Sequence, residues 1–332
     1  MKSTVLGSVC MFLVISAMVF AAEVSGETEI IFPEVAALSA GCFISPRLVW
    51  RTSAIRMVFC IGFCAVGGVC IVRFVPLPLW AQFSIAFAVG QIVLFMSGTS
   101  FAPLISAISL PVLIQTRSIV YIVAAIVLTT IVCLLRKFLV HFGTAEKNDF
   151  EPIPFSAGGT GAWAAAALFR TLFIALASFF CIGWGARFCV APPLLVAFTE
   201  LSGKESRAAK RFVAVILLVA LCTAFGAASR LVFSQWLALP LTVSALVAGV
   251  FTVGLIKIFA LPFPPAAAIA ILAMLIPCDA IATYPIQVCA GITVLTAVAL
   301  LWRRSAQGIV AAAKPFGGRP ADRRMERKRN RG

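Results

Sequence analysis

Hydrophobic residues in this chain come in long unbroken runs. Apolar segments fall at about 4–22, 30–43, 57–75, 79–97, 101–115, 118–136, 163–184, 188–201, 211–234, 239–259, 261–277 and 283–302. These lengths suit helices, and the alternating ten-residue pattern of a membrane β-strand is missing. The pattern predicts an all-α polytopic membrane protein of about twelve helical segments. Four segments are short and carry proline: 30–43, 101–115, 188–201 and 261–277. A hydrocarbon core about 30 Å thick takes roughly 20 helical residues. Short segments of this kind are expected to end inside the protein, because irregular backbone at membrane depth survives only when buried or when lining a cavity.

The short segments recur in order at an offset near 160 residues. "LPLWAQFSIAFAVGQIVLF" (77–95) has a counterpart in "LPLTVSALVAGVFTVGLIKIF" (239–259). "FAPLISAISLP" (101–111) matches "FPPAAAIAILAMLIP" (263–277), setting Pro103 against Pro265. "IIFPEVAALSAG" (30–41) matches "CVAPPLLVAFTELSG" (189–203), setting Pro33 against Pro193. Arg-rich stretches follow both members of this last pair. The expected organisation is a first membrane repeat at 1–140, a polar linker at 141–161, a second repeat at 162–303 and a basic disordered tail at 304–332. The start of the chain, "MKSTVLGSVCMFLVISAMVFAAE", has the look of a cleaved signal peptide. Its place in the repeat, opposite "LFRTLFIALASFFCIGW" (168–184), favours a retained span.

Composition agrees with the pattern. The chain is 62% hydrophobic and 12% charged, more apolar than a soluble domain can hide. The net charge of +15 is concentrated in the tail, where ten Lys/Arg follow from Arg303 against Asp322 and Glu326. Such a tail reads as a cytoplasmic anchor, and anionic lipid is its expected partner; no specific nucleic acid is expected. Eleven cysteines lie scattered through apolar segments without a CxxC pair and read as small buried residues.

Basic residues set the expected topology. If all twelve segments cross with the N-terminus inside, thirteen Lys/Arg outside the tail fall on the cytoplasmic side. Only Arg73, Arg117, Arg187 and Arg230 fall on the other side. If the four short segments dip and return, the tally becomes seven inside and ten outside, against the positive-inside bias. The twelve-crossing arrangement is therefore expected in the inner (plasma) membrane. Both termini are then cytoplasmic, and the two repeats are parallel.

Candidate chemistry is sparse. Proline favours the first helical turn, so Pro33, Pro103, Pro193 and Pro265 are each expected to begin a short helix with free N–H groups pointing into the protein. Helix–helix packing alone is the competing account of these prolines. Glu34, directly after Pro33, reads either as a proton-coupling carboxylate or as an acid at the outer interface. Glu200 beside Lys204 reads as a solvated interface residue. Arg73 and Arg230 read as interface anchors, and Arg170 and Lys257 as snorkelling to the cytoplasmic face. Gln82, Gln91, Ser100 and Ser106 make the first half the more polar one around Pro103, so they join the candidate solute site. The one histidine, His141, lies in a polar stretch, and no nucleotide loop, HExxH or GxSxG is present, so no cofactor, metal or enzyme activity is expected.

"FPPAAAIAILAMLIP" with the following "YPIQVCAGITVLTAVAL" resembles the HPP family of integral membrane proteins, named for a His-Pro-Pro motif that opens a short span. Phe263 stands at the histidine position, followed by Pro264 and Pro265. "APPLLVAFTELSG", which includes Pro192 and Pro193, is similar to the family's upstream segment. The resemblance covers roughly 163–302. Plant relatives are linked to nitrite transport, which implies a small-anion transporter; the change to Phe263 leaves any histidine-dependent step without its residue. "PRLVWRTSAIRMVFCIGFCAVGG" and "SRAAKRFVAVILLVALCTAFGAA" resemble, more weakly, the fusaric-acid-resistance-type aromatic acid exporters.

The expected function is secondary transport or channelling of a small solute, with an anion as the leading class, between the repeats. Candidate site residues are Pro33, Glu34, Gln82, Gln91, Ser100, Pro103, Ser106, Pro192, Pro193, Phe263, Pro264 and Pro265. The alternative is a non-transporting scaffold or partner subunit docking through the basic tail. Oligomerisation is left open.

Overall fold

The computed structural model describes residues 2–45, 47–153, 157–203 and 206–312. Within them lie twelve α-helices and no strand. They are α1 (Lys2–Ser25), α2 (Glu34–Ser39), α3 (Ala54–Phe74), α4 (Leu79–Met96), α5 (Pro103–Ile114) and α6 (Ile119–His141). They continue as α7 (Ala157–Gly183), α8 (Pro192–Ser202), α9 (Phe212–Ser229), α10 (Leu241–Phe259), α11 (Pro264–Leu272) and α12 (Tyr284–Ala312). The tail expected at 304–332 lies outside the described residues from 313 onward, and so does Lys204. His141 ends α6 rather than sitting in a loop.

Eight of these helices are long and apolar enough to cross a membrane: α1, α3, α4, α6, α7, α9 with its flanking turns, α10 and α12. Uniformly apolar sequence favours this arrangement, because in lipid every backbone group must bond within its own helix. Their outward faces carry large exposed side chains such as Leu13, Ile55, Phe59 and Ile258. Exposure of that extent suits a surface that meets acyl chains rather than water.

The remaining four helices are short. α5 has 12 residues, α8 has 11 and α11 has 9. The six residues of α2 continue through a five-residue π-helical turn, Ala40–Ile44. At 1.5 Å per residue none reaches roughly 20 Å. All four are almost wholly buried, so the fold is a ring of long helices around a core of short ones.

The two parts of the chain interlock. α1 packs on α10, and α7 packs on α4, so each part lends its first helix to the other. Glu23 at the end of α1 accepts hydrogen bonds from the Leu241 and Thr242 backbone N–H groups and from the Thr242 hydroxyl, capping the start of α10. Across α4 and α7, Trp80 meets Phe179 edge-on at 5.3 Å and Phe95 stacks on Trp163 at 4.0 Å. The short helices exchange as well: α2 packs on α11, and α5 on α8.

Matching contacts recur in the two parts. α3 crosses α5 at Gly68, where a methyl group would overlap the Ile108 carbonyl. α9 crosses α11 at Gly226, where it would overlap the Ala270 carbonyl. The Tyr121 hydroxyl donates to the Ala107 carbonyl at 2.9 Å, and the Tyr284 hydroxyl to the Ile269 carbonyl at 2.7 Å. The first of these has a clear origin: Pro111 inside α5 has no N–H, which frees the carbonyl four residues before it. Phe32 meets the Tyr121 ring edge-on at 5.7 Å, and Phe188 meets Tyr284 at 5.4 Å.

The close crossing at Gly226 is testable. Gly226→Ala puts a methyl group against backbone and is expected to lower stability by about 1–3 kcal/mol. Gly254→Ala on α10, where nothing lies within 4 Å of the added carbon, is expected to raise it by up to about 1 kcal/mol. Thermal unfolding of both purified variants in detergent checks the pair.

Candidate functional site: a junction of four helix starts

The first turns of all four short helices meet around one small cavity of about 10 Å³, the space of roughly one water molecule. Its wall consists of Glu34 and Ala37 from α2, Pro103 and Ser106 from α5, Pro193 and Val196 from α8, and Pro264, Pro265 and Ala268 from α11. Each helix contributes residues from its first one and a half turns, so four positive helix ends face a single point.

Proline is what lets each helix start inside the protein. Pro33 is the residue before α2; Pro103 opens α5; Pro192 and Pro193 open α8; Pro264 and Pro265 open α11. A first-turn proline loses an N–H that would otherwise be buried without a partner. The free N–H groups expected at these ends are largely consumed. Two are removed by the proline pair on α8 and two by the pair on α11. The next donors bond backwards: Leu194 and Leu195 to the Ala191 carbonyl, and Ala266 to the Phe263 carbonyl. The junction therefore offers a field from aligned peptides more than a row of open donors.

The polar side chains in the cavity wall are Glu34 and Ser106. Glu34 is 1% exposed, and its Oε1 accepts a hydrogen bond from the Ser106 hydroxyl. Its Oε2 is buried with no hydrogen-bond partner. This is a high-stakes arrangement, because an unsatisfied buried oxygen costs about 1–3 kcal/mol.

Arginines from long helices close the far ends of α2, α8 and α11, and another bonds the connection after α5, whose own last carbonyls are taken by Gln115 and Thr116. Arg136 of α6 donates to the Cys42 carbonyl at 2.6 Å, beyond α2. Arg73 of α3 donates to the Arg117 carbonyl at 2.9 Å, just past α5. Arg303 of α12 donates to the Leu201 and Gly203 carbonyls at the end of α8. Arg230, following α9, donates to the Ala273 and Ile276 carbonyls at the end of α11. A guanidinium at a helix C-terminus satisfies orphan carbonyls and complements the negative end of the dipole. Arg73, expected as an interface anchor, is exposed at the end of α3; Arg230, also expected as an anchor, is half-buried and holds the end of α11. Arg170, expected to snorkel, is buried and donates to the Ala166 carbonyl at 3.0 Å.

Six candidate residues line the cavity: Glu34, Pro103, Ser106, Pro193, Pro264 and Pro265. Pro33, Pro192 and Phe263 are buried immediately beside it in sequence but are not in its wall. Gln82 lies elsewhere, its amide donating to the Val75 carbonyl at 2.7 Å while its oxygen accepts from Gln115. Ser100 accepts from the Arg51 N–H in a loop. Gln91 donates to the Thr199 hydroxyl at 2.9 Å, linking α4 to α8. Ala37, Val196 and Ala268 were missed as wall residues; their signal is position, one turn past a proline-marked start. Glu200, expected as solvated, accepts from the Trp50 indole N–H at 3.1 Å, and Trp50 sits edge-on to Phe101 at 5.3 Å.

Two larger clefts open elsewhere. One of about 280 Å³ runs along the far end of α2 past Arg136, Lys137 and Glu146; another of about 550 Å³ lies between Lys210–Leu217 and Ile258–Phe259. Neither shares a residue with the junction. Among the described residues no cluster of His, Cys, Asp or Glu has the makings of a metal site. The fold and junction define an all-helical, multi-pass membrane protein with a buried polar centre. Scans against family models, curated proteins and solved structures each return no match to the chain.

The arginine closures predict a stability effect. Arg136→Met leaves the Cys42 carbonyl without its guanidinium and is expected to cost about 1–3 kcal/mol. Arg51→Met, at an exposed loop position, is expected to stay within about 0.5 kcal/mol of the parent. The two melting curves measured side by side decide it.

Proposed function

We propose that this protein is a secondary transporter or channel for a small solute, with an anion as the leading class. Its site is the junction where α2, α5, α8 and α11 begin. The observation that carries this reading is the convergence of four interrupted helices on one cavity holding a single carboxylate. Interrupted helices that start at mid-depth and an ionisable group there are features of solute pathways. The positive field of four helix starts favours negative charge at the same point.

In this reading the paired contacts at Gly68 and Gly226, and at Tyr121 and Tyr284, mark two parallel repeats. The twelve segments then all cross an inner membrane with both termini cytoplasmic, as the Lys/Arg distribution favours. The HPP-like segment at 163–302 supports an anionic solute. The cavity, too small for a solute here, corresponds to a contracted state, and widening it requires the interlocked parts to move against each other.

One observation favours the scaffold reading instead: the junction is narrow, with room for no more than about one water. Flux separates the two. In a proteoliposome screen over nitrite, nitrate, formate and aromatic acids, the intact protein is expected to move at least one anion. Pro103→Ala and Pro265→Ala each add an N–H and loosen a helix start at the cavity, so each is expected to cut flux several-fold while protein level holds. Flux and level falling together, or no flux from the intact protein, favours the scaffold.

A further inference from the structure

We propose that Glu34 is the site of a coupling proton, bound and released once in each transport cycle. The inference rests on the transport reading of the junction and names what that junction carries besides the solute.

The geometry narrows the ligand to something very small. A cavity of about 10 Å³ excludes every solute larger than water in this state. Glu34 is the carboxylate in its wall, is 1% exposed, and keeps Oε2 unpartnered. A lone carboxylate in a low-dielectric interior requires a neutralising positive charge. The surrounding groups do not supply one. α11 brings Pro264, Pro265 and Ala268; α5 brings Ser106, which already donates to Oε1. α6 brings Tyr121, whose hydroxyl is spent on the Ala107 carbonyl. It also brings Arg136, engaged with the Cys42 carbonyl in the π-helical turn beyond α2, eight residues from Glu34. α1 and the π-helical turn add the thiols Cys10 and Cys42. A proton on Oε2 neutralises the group without a space requirement.

The same site also allows the proton to leave. Four helix starts and the Ser106 hydroxyl stabilise the carboxylate anion, while burial stabilises the acid. Opposed effects on one group give two accessible states, which a coupling residue needs. The proton count follows from the sequence. The position that pairs with Glu34 at the 160-residue offset is Leu194, so one proton per chain is expected.

Infrared difference spectroscopy of the purified protein, titrated with acid and base in H2O and in D2O, tests this with the proton itself as probe. The expected result is a carboxylic-acid C=O band that appears on acidification and shifts in D2O. It should be absent in Glu34→Gln, displaced in Ser106→Ala and unchanged in Glu200→Gln. An identical difference spectrum in Glu34→Gln, or a band unmoved by Ser106→Ala, overturns the assignment. With nitrate as flux probe, Glu34→Gln is expected to exchange anion across the membrane but to lose accumulation driven by a pH gradient. Gradient-driven accumulation that survives Glu34→Gln overturns coupling while the transport reading stands. Absence of wild-type flux across the whole anion screen sinks the transport reading, and the infrared band then decides the proton site alone.

Discussion

The fold depends on satisfying helix ends that lie in the interior. A helix that stops inside a bilayer leaves four N–H groups at one end and four carbonyls at the other, with no water to receive them. This chain solves the problem differently at the two ends of its four short helices. At the starts, proline removes donors and the next N–H groups turn back onto nearby carbonyls such as Ala191 and Phe263. At the far ends, Arg136, Arg303 and Arg230 reach in to α2, α8 and α11, while Gln115 and Thr116 close α5. The arrangement places guanidinium charge at the negative ends of α2, α8 and α11 and leaves the positive ends facing the cavity without a counter-charge other than Glu34. All four positive ends point at the cavity, so the electrostatics of the centre follow from how the periphery is closed.

That polarity gives Glu34 its setting. Other interior polar groups make side-chain contacts, as Gln91 does to Thr199 and Ser84 to Ser178 at 3.2 Å, and some neutral oxygens, Gln91 Oε1 and Ser109 Oγ among them, likewise lack a partner. Glu34 has one hydroxyl for one oxygen and a field for the other. The tight crossings at Gly68 and Gly226 bring the short helices close enough to their long partners for this geometry to be held. Two tyrosines add to this, their hydroxyls donating to the Ala107 and Ile269 carbonyls of α5 and α11.

Much of the architecture was legible in the sequence. Long apolar runs have one solution in lipid, so segments 57–75 and 239–259 correspond closely to Ala54–Phe74 and Leu241–Phe259. The short segments were marked by their prolines, although 30–43 and 261–277 overstated the α-helical parts, Glu34–Ser39 and Pro264–Leu272. A π-helical turn and loose terminal turns leave no trace in hydropathy. Side-chain partners were harder. The acceptors of Arg73 and Arg230 are backbone carbonyls 44 and 43 residues away, which composition cannot point to. Trp50 and Glu200, 150 residues apart, are joined only once the two parts interlock.

The exchange of first helices has a bearing on how the molecule is made. The Glu23 carboxylate and the Thr242 backbone it caps are 219 residues apart, so α1 enters the membrane long before its partner exists. At typical elongation rates that interval is roughly 10–40 s. Over that time the buried stripe of α1, from Met11 through Val19, has only lipid and its nearest neighbours to cover it. The seat of α1 on α10 is therefore completed only after more than two hundred further residues have been made.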